Sequence, residues 1–259
     1  MDLGLRDKLA LVTGGSRGIG LRIARGLADE GCHVAICGRT PETLEEAVAD
    51  LRARGVQAHA VVADVTAPGE SERFVEEGAR ALGGLDLLVC NAGGASGGRF
   101  PEATIEDWQQ TFDLNLFHAV RCIRAAVPFM RERGGGSVVT ISSISGWRPG
   151  SNPQYGTTKA AEIFLAQSLA WELGKDRIRV NTVSPGSIWF EGGGWDRYQQ
   201  ANPERYERFE RFDVPWGRLG TPEEVADATV FVLSPRAMWV NGANIAVDGA
   251  QAWGSVFAQ

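Results

Sequence analysis

The sequence predicts one α/β domain, a doubly wound parallel sheet of about seven strands with helices on both faces. Three observations predict it. Short apolar runs alternate regularly with helix-length amphipathic segments. The runs are apolar along their length, as strands buried on both faces must be. A glycine-rich turn stands between the first run and the first helical segment, the place where nucleotide-binding sheets carry theirs.

In chain order the strands are expected at Leu9–Thr13, His33–Cys37, Gln57–Val62, Leu85–Cys90, Ser137–Ser142, Arg179–Ser184 and Asn244–Val247. The helical patterns are Ile19–Glu30, Pro41–Arg54, Gly69–Leu82, Ile105–Arg133, Pro153–Leu173 and Pro222–Leu233. Pro41 and Pro222 each follow a threonine, an N-cap residue before one preorganised for the first helical position. Repeated strand–helix–strand units imply right-handed crossovers. No composition break marks a linker, so residues 1–259 are read as a single domain.

Ser187–Gly220 breaks the rhythm. It carries Trp189, Phe190, Trp195, Tyr198, Tyr206, Phe209, Phe212 and Trp216, and the triplet Gly192–Gly194. It is too aromatic for disorder. Two readings stand: a substrate lid over about 187–220, or a segment that packs subunits or caps the core.

Composition excludes several classes. At 44% hydrophobic and 22% charged, 259 residues supply a substantial core without disulfides or metal. A net charge of −6 argues against nucleic acid. No apolar run reaches membrane-spanning length, and MDLGLRDKLA lacks an apolar signal core, so a cytoplasmic protein is expected. Cys32, Cys37, Cys90 and Cys122 form no CxxC pair and read as small buried hydrophobes. His33, His59 and His118 lack ligand spacing, so no metal is expected. A Ser-His-Asp hydrolase is not expected.

The first turn reads Thr13-Gly14-Gly15-Ser16-Arg17-Gly18-Ile19-Gly20. Its glycines let backbone N–H groups approach a pyrophosphate at a helix N-terminus. The second strand ends Ile36-Cys37-Gly38-Arg39-Thr40, with no acid to accept a ribose 2′-hydroxyl. Arg39, with Arg17 from the glycine turn, suits a 2′-phosphate instead. NADP(H) is therefore expected over NAD(H). Asp64-Val65 follows the third strand, where the carboxylate either meets an adenine amino group or caps the next turn. Asn91-Ala92-Gly93-Gly94 follows the fourth, at the carboxyl end where open sheets bind ligands.

Tyr155 and Lys159 stand four apart at a helix start, hence on one face. A free tyrosine titrates near pH 10, too high for efficient proton transfer at neutrality. A nearby ammonium favours the phenolate. Tyr155 then gives a proton to a carbonyl oxygen or takes one from an alcohol. Ser143, at the end of the fifth strand, is placed to hydrogen-bond the same oxygen. Ser142 is an alternative.

Together these residues resemble the short-chain dehydrogenase/reductase family in its single-domain branch, closest in look to 3-oxoacyl-carrier-protein reductases. TGGSRGIG at 13–20, Asp64, NAG at 91–93, Asn115, Ser143, YxxxK at 155–159, Pro185-Gly186 and NGANIAVDGA at 241–250 fall in family order. The resemblance implies a Rossmann fold and hydride transfer between nicotinamide and a carbonyl or secondary alcohol. It implies Tyr155 as acid/base and Lys159 as the residue that lowers the Tyr155 pKa and holds the nicotinamide ribose. Ser143 would be the substrate-oxygen binder, and Asn115 the support of a water beside the lysine. Pro185 and Gly186 would bind the cofactor, and Ile188 after them would meet the carboxamide through its backbone. Phe190 departs from the pattern, standing where the family has a threonine that bonds the cofactor. The segment around Trp239 and the last strand resembles the region through which relatives form homotetramers. Trp147 and the aromatic insert point to a bulky or flat apolar substrate. The rivals are an NADP-binding regulator without turnover, and a sugar-nucleotide epimerase or dehydratase, for whose second domain the chain has no room.

Overall fold

The computed structural model describes residues 2–150 and 152–252. Its centre is a seven-stranded sheet in the order β3-β2-β1-β4-β5-β6-β7. The strands are β1 (Leu9–Thr13), β2 (His33–Gly38), β3 (Ala58–Val62), β4 (Leu87–Cys90), β5 (Gly136–Ile141), β6 (Ile178–Pro185) and β7 (Asn244–Val247). Every neighbouring pair is parallel. The strand order reverses between β1 and β4, so the sheet's carboxyl edge opens into a crevice there. The Rossmann fold follows as the sequence predicts.

The helices are α1 (Gly18–Asp29), α2 (Pro41–Ala53), α3 (Glu70–Leu82), α4 (Ile105–Phe112), α5 (His118–Glu132), α6 (Pro153–Leu173), α7 (Gly194–Ala201), α8 (Pro203–Asp213) and α9 (Pro222–Leu233). One apolar layer packs Ile23, Leu27, Leu44, Leu51, Val225 and Leu233 from α1, α2 and α9 on the sheet. The other packs Phe74, Val75, Ile123, Met130, Ala166 and Ala170 from α3, α5 and α6. Burial on both faces explains why the strands lack polar alternation. All four cysteines are buried, unpaired thiols.

Three local features differ from the sequence reading. The long helix expected over Ile105–Arg133 is interrupted by one π turn at Asp113–Phe117. Periodicity alone does not reveal one inserted residue per turn. Thr221 caps α9 by accepting from the Glu224 amide, within a full capping box. Thr40 stands at the N-cap position of α2 but makes no side-chain cap bond. Third, the aromatic insert contains α7 and α8. Its ends are fastened together, since Trp189 N donates to Gly220 O and Gly220 N to Ser187 O, each at 2.9 Å. Inside it, Trp195 stacks on Phe209 with ring centroids 4.5 Å apart, over buried Tyr206, Val214 and Leu219.

Candidate active site

The glycine turn is built for close approach. Gly14 has φ +62°, and a Cβ there would stand 3.1 Å from Asn91 Nδ2 and 3.3 Å from Ala92 Cα. A Cβ on Gly20 would overlap the Gly14 carbonyl and Asn91 Nδ2. Both positions therefore require glycine. The turn is locked to the end of β4. Asn91 Nδ2 donates to Thr13 O at 2.9 Å and Gly14 O at 3.2 Å. The amides of Asn91 and Ala92 both donate to Thr13 Oγ1 at 2.9 Å. Thr13 is a site-building residue that sequence reasoning passed over. Its signal was a buried hydroxyl at the end of an apolar strand.

Ser16 leans on the end of β2, its Oγ standing 3.1 Å from where a Gly38 Cβ would be. Arg17 and Arg39, which follow Ser16 and Gly38 in the chain, are exposed, and Gly18 and Ile19 are half-buried. Asp64 Oδ1 accepts from Thr66 N at 3.0 Å and Thr66 Oγ1 at 2.7 Å. Those bonds, and then Arg39, hold its carboxyl below the usual range. The turn-capping reading of Asp64 is thus what this structure displays. The Val65 side chain belongs to the core, which leaves only its backbone for a ligand.

The π turn explains Asn115. This buried amide donates from Nδ2 to Gly94 O at 2.7 Å and Thr111 O at 2.6 Å, while its Oδ1 accepts from Gly94 N at 3.1 Å. Gly93 lies between two predicted site residues. A Cβ there would stand 2.8 Å from Asn115 Oδ1 and 3.3 Å from Lys159 Nζ.

Asn152 caps α6, its Oδ1 accepting from Tyr155 N at 3.4 Å. Tyr155 is thereby set in the first turn, with Lys159 one turn on. Lys159 Nζ stands 5.5 Å from the Tyr155 ring centroid. It donates to Ile141 O at 2.9 Å and to both oxygens of Glu162 at 3.0 Å. Glu162 was missed, although its i,i+3 spacing from a lysine was legible. The two serines separate clearly. Ser142 is buried, and its Oγ donates to Lys159 O at 2.8 Å. Ser143 and Tyr155 line one cleft of about 840 Å³ with Trp147, Arg148, Trp195 and Phe209.

Pro185 ends β6 and Gly186 follows it. Beside them, Ser187 N donates to Gln251 Oε1 at 2.8 Å. Ile188 is buried and pairs with Gly220 across the base of the insert. Behind the glycine turn, His118 Nε2 lies 3.3 Å from Thr13 Oγ1. Burial first, then the Lys159 charge, push its pKa down to about 3. Among the described residues no His, Cys, Asp and Glu cluster is arranged to hold a metal ion. No helix among them is long and apolar enough to cross a membrane.

Comparisons with known proteins agree with the fold. Residues 14–250 match the family model described as enoyl-(acyl carrier protein) reductase. Dehydrogenase/reductase SDR family member 4 of Oryctolagus cuniculus is 37% identical over 251 residues, covering 95% of this chain and 94% of its own. The structure of L-sorbose reductase from Gluconobacter frateurii, complexed with NADPH and L-sorbose, superposes with TM-score 0.91 at 36% identity, covering 100% of both chains. A 7α-hydroxysteroid dehydrogenase complexed with NADH and 7-oxo glycochenodeoxycholic acid gives TM-score 0.89 at 31% identity, covering 96% of this chain and 95% of that one. With its motifs, sheet order and relatives in accord, this chain belongs to the short-chain dehydrogenase/reductase family of oxidoreductases.

Proposed function

We propose that the chain is an NADP(H)-dependent reductase or dehydrogenase. Its substrate would be a ketone, or the matching secondary alcohol, with a bulky apolar body such as a 3-oxoacyl chain. The observation that carries this reading is the shared cleft of Ser143 and Tyr155, with Lys159 Nζ held 5.5 Å from the phenol ring.

The cradle fits a dinucleotide, because the glycine turn opens α1 at Gly18 and its N-cap Arg17 makes no side-chain cap bond, which leaves backbone N–H groups for a pyrophosphate. Gly14, Ser16, Gly18, Ile19 and Gly20 would hold the pyrophosphate, with Arg17 and Arg39 at the 2′-phosphate. Asp64, Val65, Asn91, Ala92 and Gly93 would line the adenosine side. Tyr155, Lys159, Pro185, Gly186 and Ile188 would frame the nicotinamide end. When bound, the nicotinamide supplies or accepts hydride at the carbonyl carbon.

The protein's own part is proton handling. In reduction, the Tyr155 hydroxyl gives its proton to the carbonyl oxygen; in oxidation, the phenolate takes one from the alcohol. Lys159 sets its positive charge 5.5 Å from the phenol ring, where it would steady negative charge on the oxygen. Ser143 Oγ already accepts from Ser145 N at 3.1 Å, and its nearest acceptor is the Ser145 hydroxyl at a long 3.3 Å. Its hydrogen is thus available to the substrate oxygen. Trp147, Trp195 and Phe209 give the cleft its apolar walls, with α7 and α8 as the lid.

Solved relatives bind NADPH in one case and NADH in another. Arg17 and Arg39, with no acid at the end of β2, support NADP here. Trp239, 99% exposed near edge strand β7, supports a homotetramer. Four unpaired thiols fit a reducing cytoplasm.

Steady-state kinetics on a panel of ketones tests the assignment. A preference for NADPH of at least about tenfold in kcat/KM, lost in Arg39→Glu, is expected. Equal efficiency with NADH would refute the cofactor preference. Cofactor binding without turnover on the whole panel would favour a regulator.

A further inference from the structure

Lys159 is held from two sides. The Ile141 carbonyl accepts from Nζ at 2.9 Å, and both Glu162 oxygens stand at 3.0 Å. Both side chains of this ion pair are 2% exposed. Removing two charges from water commonly costs more than their attraction returns, and apolar residues stabilise a helix–sheet interface equally well. Stability therefore gives weak grounds for Glu162. Its location gives better grounds, because the ammonium it contacts is the one that acts on Tyr155.

We propose that Glu162 is a positioning residue for proton transfer, whose carboxylate fixes Lys159 Nζ and damps the positive charge that Tyr155 feels. The proposal rests on the reading of Tyr155 as the proton carrier. A phenol beside a lone ammonium is drawn strongly towards phenolate. Beside an ammonium–carboxylate pair it meets a field nearer to that of a dipole, which falls off faster with distance. The pair would thus set how far the Lys159 charge reaches the phenol oxygen, and with it the balance between holding the proton and releasing it.

Arg148 shares the Tyr155 cleft, and its charge is common to every Glu162 variant. Burial holds the Glu162 carboxyl above its usual range, against the pull of the Lys159 charge and hydrogen bonds. Ser142, beyond β5, is neutral and fixes the helix by donating to Lys159 O. From α5, the ionisable group facing Lys159 is His118, which is neutral at every pH well above about 3.

The ultraviolet absorbance of the phenolate, followed against pH with neither cofactor nor substrate, tests the proposal. Subtracting the titration of each Tyr155→Phe counterpart isolates Tyr155 from Tyr198 and Tyr206. Glu162→Gln keeps an acceptor for Nζ and removes the charge. It is expected to move the Tyr155 midpoint down by roughly half to one pH unit. Glu162→Asp, which restores a carboxylate, is expected to bring the midpoint back towards that of the natural protein. If the glutamine variant fails to fold, Glu162→Met offers an apolar side chain of similar length and is expected to show the same downward move. A midpoint that stays or rises in a folded, charge-free variant overturns the proposal. Failure of the underlying reading looks different: carbonyl reduction would then survive Tyr155→Phe, whatever Glu162 does to the titration.

Discussion

The Phe190 ring rests on Gly18. A Cβ built on Gly18 would stand 2.8 Å from Phe190 Cζ, and Gly18 itself has φ +53°. The aromatic insert thus reaches back to the glycine turn after β1. Phe190 occupies the position at which family members carry a cofactor-bonding threonine. Replacing it by Thr removes the ring from the turn and supplies a hydroxyl. Phe190→Thr is expected to lower the Kd for NADPH by roughly threefold to tenfold, the equivalent of about one hydrogen bond. Titration calorimetry would measure it, and weaker or unchanged binding would contradict the contact's proposed cost.

The glycine turn offers a sharper steric test. In Gly20→Ala the new methyl has only backbone carbonyl and the pinned Asn91 amide to displace. A loss of about 2–4 kcal/mol of stability is expected, with dinucleotide binding abolished. Denaturant unfolding and a binding titration check both.

Asn115 couples the π turn to the loop after β4. Asn115→Ala removes both of its bonds to Gly94 and the one to Thr111. About 1–3 kcal/mol of stability should go with them. Because Gly93 borders both Asn115 and Lys159, kcat should fall more than KM changes. Thermal unfolding together with steady-state kinetics would read the two effects.

His118 predicts a pH dependence of stability. Its folded pKa of about 3 lies below its ordinary value of 6.5. Between those two values the unfolded chain binds the extra proton. Stability is therefore unaffected above the upper value and declines as pH falls through the window. Thermal unfolding at stepped pH should show the decline in the natural protein and a shallower one in His118→Gln. Equal slopes would mean other groups govern the acid limb.

The sheet, its strand limits to within a residue or two, and most helices were legible in the sequence. Their signal is strong: strands apolar on both faces, separated by amphipathic helices, admit few other arrangements. The π turn was not legible, because one extra residue barely disturbs the apolar period around Leu114-Asn115-Leu116. The helices of the insert were hidden too. Trp195 and Phe209 stack on each other rather than on the sheet, so their spacing follows a small local cluster. In the site, Tyr155 and Lys159 could be read from spacing, whereas Ser142 and Ser143 could not be separated. Their difference is one of direction, since neighbours on an extended chain point to opposite sides. The partners of Lys159 were hidden for a related reason, because Ile141 meets it only through the folded sheet.

The account stands on Tyr155 as the proton carrier, and Tyr155→Phe tests it most directly. The substitution removes one hydroxyl and leaves the ring in place. Measured with NADPH and a ketone that the natural protein reduces, kcat should fall by roughly a hundredfold to ten-thousandfold, while the Kd for NADPH and the unfolding temperature stay near their natural values. Turnover within a few-fold of the natural protein would contradict the assignment.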